Sequence, residues 1–480
     1  MRPQMGRLSL VLLPTQLVLV LLSGVVTVQG AVSSTLGISY GQLGSDLPAP
    51  PRAVELIRSV RGARVKLYDA NQTILAALAG TPLQAAVMLP NELIPDAAAN
   101  QSFADRWVAS NLLPFRSTVN LRFLLVGNEI LSYPTLGNST WPRLVPAMER
   151  LRRALKAHSL RGVKVGTTLA MDALKASFPP SAGAFRDDIA GSVMAPMLRF
   201  LRRTRSFYFV DVYPYFAWAA NPATIALDYA LMEKGAKAYT DPSSGLTYTN
   251  LLDQQLDAVY AAMARLGYPK LPLVIAETGW PNGGDYDQIG GNVYNAATYN
   301  RNLARRMARK PPVGTPARPG EAIPTFLFAL FNEDRKPGPG TERHWGLFYP
   351  NGTGVYGIDL AGRTPDGAFG PLPVATNNEP YRGQIWCVAA TVGRGEMNAT
   401  DLGDAVAYAC GQVNEGGCGP IRPGGSCYRP DSPVWHASYA FNAYWQQFRR
   451  SGGTCFFNGL AAQTIHDPSV GSCKFPSAAG

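Results

Sequence analysis

Apolar residues gather in short runs along most of the chain, and between the runs they recur at intervals of three and four. Eight runs stand out between about residues 35 and 335: 36–40, 63–69, 84–90, 121–128, 162–169, 206–215, 271–277 and 323–332. They are rich in Val, Ile, Leu, Tyr and Phe, as strands buried on both faces are. The stretches between them have the helical period; in 140–158, Trp141, Leu144, Met148, Leu151 and Leu155 share one face. Eight β/α units predict an α/β fold, a (β/α)8 TIM barrel over 31–360. A doubly wound sheet is the alternative, but no GxGxxG follows the first run.

Two of the runs end in a carboxylate. LPLVIAETGWP (271–281) presents Glu277, and LRFLLVGNEI (121–130) presents Asn128 and Glu129. In the count these are strands 4 and 7, whose C-terminal ends share the mouth of a barrel. A lone strand-end Glu is more often a cap or an ion-pair partner. Paired carboxyls suit glycoside hydrolysis, retaining when about 5–5.5 Å apart and inverting when wider. Aromatic residues crowd the same ends: Tyr40, then Tyr213, Tyr215, Phe216 and Trp218 in DVYPYFAW, then Trp280 beside Glu277. Each is more often core than ligand platform, yet together they suit sugar rings, and Trp280 reads as a platform. FNEDRKPGPG brings Glu333 and Lys336 to the same mouth.

The net charge of +11 and pI of about 9.4 raise nucleic acid as a partner. Lys and Arg are scattered, which argues against it and points instead to acidic extracellular polymers. All six cysteines fall at 387, 410, 418, 427, 455 and 473. No pair has the close spacing of a zinc site, so they read as disulfides of a small α+β module, 385–476, behind a Gly- and Pro-rich linker, 361–384. Their connectivity stays open on spacing alone. Arg2 and Arg7, an apolar run from Leu8 to Val26 and the small residues after it read as a secretory signal over 1–30. Sequons stand at Asn71, Asn100, Asn138, Asn351 and Asn398.

GISYG, VKLYDAN, VGNEI, DVYPYFAW, IAETGWP and the block from FNED to LFYPNG occur in an order that resembles the plant glucan endo-1,3-β-glucosidases of glycoside hydrolase family 17, over roughly residues 35–360. The resemblance implies a retaining hydrolase of internal bonds in β-1,3-glucans such as callose. It implies Glu129 as general acid/base, Glu277 as nucleophile, Glu333 and Lys336 in support, and Tyr40, Asn128 and Tyr213 near substrate; Phe216 and Trp280 join them as aromatic candidates. No metal or cofactor is expected. Ser39, Asp211 and Asp334 stand where the family commonly has Asn, and an inward Asp211 would raise a neighbouring carboxyl's pKa.

From WCVA at 386–389 through SYAFNAYWQ to DPSVGSCKF the chain resembles the X8 domain, carbohydrate-binding module family 43. That implies pairs Cys387–Cys455, Cys410–Cys473 and Cys418–Cys427, and glucan stacking on Tyr439, Tyr444 or Trp445, with the module tethering the enzyme to its polymer. The chain ends at Phe475-Pro-Ser-Ala-Ala-Gly480, with no hydrophobic tail of the kind that signals a lipid anchor. The expectation is a secreted, extracellular or wall-associated monomer with no membrane segment once the signal is removed. A glucan-binding wall protein with a weak barrel and a glucanosyltransferase are the competing readings.

Overall fold

The structure, a computed structural model, describes residues 36–137, 139–390 and 398–477; the signal segment and Asn138 lie outside them. Eight strands close a barrel: β1 Gly37–Tyr40, β2 Arg64–Leu67, β3 Gln84–Leu89, β4 Asn120–Asn128, β5 Lys164–Ala170, β6 Tyr208–Asp211, β7 Leu273–Thr278 and β8 Thr325–Leu327. The ring runs in sequence order with β8 returning to β1, and its neighbours pair in parallel. Helices α1 Leu144–Ala157, α2 Pro214–Ala220, α3 Leu251–Arg265 and α4 Val293–Ala308 belong to the units around it. In α1 the three-and-four spacing buries Leu144, Ala147, Met148, Leu151, Ala154 and Leu155.

Two runs are longer in sequence than the strands they become. The 206–215 run stops at Asp211 because Pro214, which has no N–H to give a ladder, opens α2. The 323–332 run leaves the regular ladder after Leu327, and its later N–H groups pair elsewhere, Ala329 with the Trp345 carbonyl and Leu330 with that of Ser39. Three sequon asparagines, Asn71, Asn100 and Asn398, cap helix N-termini through their side chains. Those positions therefore have a structural role that requires no glycan.

In the module, β9 Trp386–Ala389 pairs antiparallel with β10 Ala461–Thr464, against α5 Ala399–Gln412 and α6 Pro433–Phe448. Cys387 is bonded to Cys455. The other two pairs differ from those implied by resemblance: Cys410 joins Cys418 and Cys427 joins Cys473, in place of Cys410–Cys473 and Cys418–Cys427. The reason is local, since Cys410 lies in the last turn of α5 and meets the loop that follows it. Cys427 and Cys473 share a separate small core with Trp386, Tyr439 and Phe475. Replacing both Cys387 and Cys455 with Ser is expected to cost about 2–5 kcal/mol, read as a lower denaturant midpoint of the module.

The linker does not run free. Asn377 and Asn378 accept hydrogen bonds from the Asn292 amide at 2.8 and 3.0 Å, Asn378 accepts another from Asn295, and the Gly290 N–H donates to the Asn377 carbonyl. Upstream, the guanidinium carbon of Arg301 lies 4.2 Å from the ring centre of Phe369. The module is seated on the barrel: the Arg343 guanidinium lies 4.1 Å from the Phe456 ring centre, and Gln463 donates to Asp287 at 2.9 Å. Barrel, linker and module belong to one compact unit.

Candidate active site

Side chains of β2 alternate between the two faces of the barrel wall, as in any strand. Val65 and Leu67 join the apolar layer, and Arg64 and Lys66 are fully buried on the other face. A buried ammonium needs a countercharge. Lys66 Nζ meets Glu277 Oε1 at 2.5 Å, from the end of β7. The Tyr68 hydroxyl donates to the same oxygen at 2.6 Å, and the Tyr213 hydroxyl to the other at 2.6 Å. Burial opposes the ionised form of Glu277, but Lys66 and the two tyrosines outweigh it and hold the carboxyl below its ordinary value of 4.5.

Glu129 is placed by an irregularity. The β4–β5 register slips between Leu125 and Asn128, Gly127 has φ of 74°, and Glu129 itself is left-handed at φ 48°. A Cβ on residue 127 would stand 2.6 Å from Asn91 Oδ1. Asn91 needs that space because its side chain brackets the Asn128 backbone, accepting from the N–H at 2.8 Å and donating to the carbonyl at 3.0 Å. A left-handed non-glycine costs on the order of 1–3 kcal/mol, and here it turns a carboxyl into the cleft. Burial, and then the charge of Glu277, push Glu129 up to about 7, with Lys66 moderating the rise.

Asp211 does point inward. It pairs in register with Glu277, is buried, and has neither carboxyl oxygen in hydrogen-bond geometry. Burial first, then the Glu277 charge, raise its pKa well above the ordinary range, although Lys66 and the nearby Thr168 hydroxyl temper the rise. Burial thus favours its neutral form. Glu333 is buried against β1, accepting the Leu43 N–H at 2.7 Å. Gly41 makes room for it, since a Cβ there would lie 2.4 Å from both Glu333 oxygens. Lys336 pairs with Glu342 at 3.4 Å and lies 4.1 Å from the Phe328 ring centre.

These groups border a cleft of about 1150 Å³. Glu129, Glu277, Glu333, Lys336, Asn128, Tyr213 and Phe216 line it. Seven carboxyl residues and one lysine border it, so the cleft offers a polyanion no cluster of cations, whatever the net charge of the protein. Neutral hydroxyl-rich ligands need none. Among the described residues no group of three or more His, Cys, Asp or Glu is arranged to hold a metal ion.

Two sequence candidates lie elsewhere. Trp280 is 0% exposed, its indole N–H donates to the Gly290 carbonyl at 2.7 Å, and it packs among Tyr215, Trp218 and Tyr299. It is core: its ring belongs to the apolar cluster and does not line the cleft. Tyr40 is also buried, edge-on to Phe331, with its hydroxyl pushed up to about 12 by burial and then by Glu333. DVYPYFAW divides the same way: Tyr213 and Phe216 face the cleft, Tyr215 and Trp218 the core. In the module, Tyr439 and Trp445 are buried and only Tyr444 of the three candidates reaches a groove.

Lys66 and Tyr68 are the functional residues that sequence reasoning passed over, although VKLYDAN contains both. The available signal was a run in which Arg64 and Lys66 alternate with Val65 and Leu67, placing two cations on one face of a barrel strand. Phe328, Trp345 and Tyr133 also line the cleft.

Residues 36–360 match the model of the glycosyl hydrolases family 17, and residues 385–462 that of the X8 domain. A probable glucan endo-1,3-beta-glucosidase of Arabidopsis thaliana is 50% identical over 93% of this chain and 92% of its own length. A glucan endo-1,3-beta-D-glucosidase of Olea europaea is 37% identical over 92% of this chain and 94% of its own. Among solved structures, a beta-1,3-glucanase and allergen of Cryptomeria japonica pollen superposes with TM-score 0.64 at 36% identity, covering 68% of this chain and 99% of that one.

Proposed function

The chain belongs to glycosyl hydrolases family 17, and from that membership we propose that it is an exported endo-hydrolase of β-1,3-glucans that works by double displacement. The observation that carries the reading is a pair of carboxyls lining one cleft in unlike surroundings: Lys66, Tyr68 and Tyr213 bond Glu277 and favour its ionised form, while burial and the Glu277 charge push Glu129 up to about 7. Relatives named as glucan endo-1,3-beta-glucosidases supply the substrate class, callose being one such polymer. Three disulfides fit an oxidising compartment outside the cell.

In the first step Glu277 attacks the anomeric carbon while Glu129 gives its proton to the departing glycosidic oxygen. The new bond is a glycosyl ester on Glu277, and the reducing-side glucan leaves. Esterification removes the charge that helped raise Glu129, so its pKa falls and it becomes a base for the incoming water. Water then displaces Glu277 and restores both groups. The Asn128 side-chain oxygen accepts from the Thr168 hydroxyl and from Lys66, which leaves its NH2 to donate to a sugar hydroxyl. Phe216, about half exposed, offers a ring face to the chain. Glu333 and Lys336 shape the field and the wall around the sugar.

Laminarin digestion followed by proton NMR tests this. Short oligomers whose first-formed reducing ends are β anomers support endo-hydrolysis with retention. Products longer than the substrate point to transfer, α anomers to inversion, and no products to a binding protein. The pH dependence follows from the same two groups. kcat/KM is expected to be bell-shaped, with its alkaline limb near pH 7, where Glu129 loses its proton, and its acid limb below 4.5, where Glu277 gains one. An alkaline limb above pH 9 would assign the acid to another residue.

A further inference from the structure

We propose that the catalytic cleft continues onto the module, so that one β-1,3-glucan chain passes from the carboxyls over the Pro337–Gly338 turn into a groove beside Tyr408 and Tyr444. This rests on the function proposed above and deepens it: the module's groove is an extension of the substrate path and not a separate anchor.

The groove has a volume of about 960 Å³, close to that of the cleft. Pro337 is a wall of both. On its one side Lys336 lines the cleft; on its other, Gly338 lines the groove. Gly338 has φ of 98°, a conformation that glycine adopts freely, and it carries the backbone over the rim between the two cavities. The contacts of Arg343 with Phe456 and of Gln463 with Asp287 hold the module in place on the barrel, and Phe456 itself borders the groove.

The chemistry of the groove matches a neutral polysaccharide. Asp401, Asp404 and Tyr408 succeed one another along one face of α5, and Tyr408 is 54% exposed. The Tyr444 ring lies 5.7 Å away, tilted by 49°, so the two rings offer an angled pair of platforms. The aspartates accept hydrogen bonds from sugar hydroxyls. No Lys or Arg is among the described residues lining the groove, which disfavours an acidic polymer. A long chain anchored in both cavities binds with an advantage that a chain confined to the cleft lacks.

The test compares kcat/KM for long soluble laminarin with kcat/KM for a laminari-trisaccharide. Asn398 borders the groove and begins an Asn-Ala-Thr sequon, so the measurement uses a Thr400→Ala background. That change removes the glycan acceptor and keeps the backbone N–H that Asn398 caps. Tyr408→Ala is expected to lower the long-to-short ratio by on the order of tenfold, through KM on the long chain; Tyr408→Phe, which keeps the ring, restores it. An unchanged ratio in Tyr408→Ala overturns the proposal. So does weaker retention on insoluble glucan with unchanged long-chain kinetics, which would make the groove a separate anchor. If the unmodified protein cleaves no β-1,3-glucan at all, the proposed function falls and takes this inference with it. Cleavage without a Tyr408-dependent length advantage removes only this one.

Discussion

Glu277→Gln is expected to lower turnover of laminarin at least about a thousandfold while leaving glucan affinity within a few-fold of the unmodified protein. The amide keeps the shape of the side chain but cannot form the glycosyl ester. Binding survives because cleft residues that do not bond Glu277, Phe216 and Asn128 among them, are untouched. The fold is expected to survive as well. Losing one anion would leave Lys66 buried without compensation, which typically costs about 3–5 kcal/mol. Asp211 is at hand to take over: its pKa is raised in part by the Glu277 charge and lowered by Lys66, so removing Glu277 lets Asp211 ionise as the new counterion. The readouts are reducing-end release, affinity by calorimetry and the thermal midpoint. Near wild-type hydrolysis by this variant would sink the nucleophile assignment.

Lys66→Met removes the cation instead and has a different signature. Lys66 holds Glu277 down and moderates Glu129, so both carboxyls lose a stabilising partner together. The sign is the same for each: both pKa values rise. The acid limb of kcat/KM, which follows ionisation of Glu277, moves to higher pH; the alkaline limb, which follows loss of the Glu129 proton, moves up with it. On the acid side of the bell the variant is expected to lose on the order of a hundredfold in kcat/KM, because loss of Lys66 raises the Glu277 pKa and leaves the carboxyl less well oriented. A bell that keeps its position and only loses height would mean that Lys66 serves packing alone.

The carboxyl pair was legible in the sequence because each Glu ends an apolar run, and apolar runs in β/α succession fix which strand ends meet. What could not be read was the direction of each aromatic ring. Tyr213 and Phe216 reach the cleft while Tyr215, between them, reaches the core, because Pro214 starts a helix there and helical spacing replaces the alternation of a strand. Trp280 misled for a related reason. Adjacency to Glu277 says nothing of direction past the strand end, where the chain runs so close to the end of β8 that a Cβ at Gly279 would sit 2.4 Å from the Phe328 carbonyl oxygen. The cysteine pairs depended on where α5 ends, which spacing does not specify. Lys66 was hidden by habit: a lone lysine in a strand is usually solvated, and its countercharge stands on the far side of the barrel.

A proline- and glycine-rich stretch between two folded parts is ordinarily where a protease separates them. Here Asn377 and Asn378 are bonded to the barrel at Gly290, Asn292 and Asn295. A protease must draw an extended segment into its own active site, and this segment would first have to be peeled from its bonds. Durability in a protease-rich medium would then come from bonded asparagines in the connector, and the enzyme would be degraded as one piece or persist as one piece.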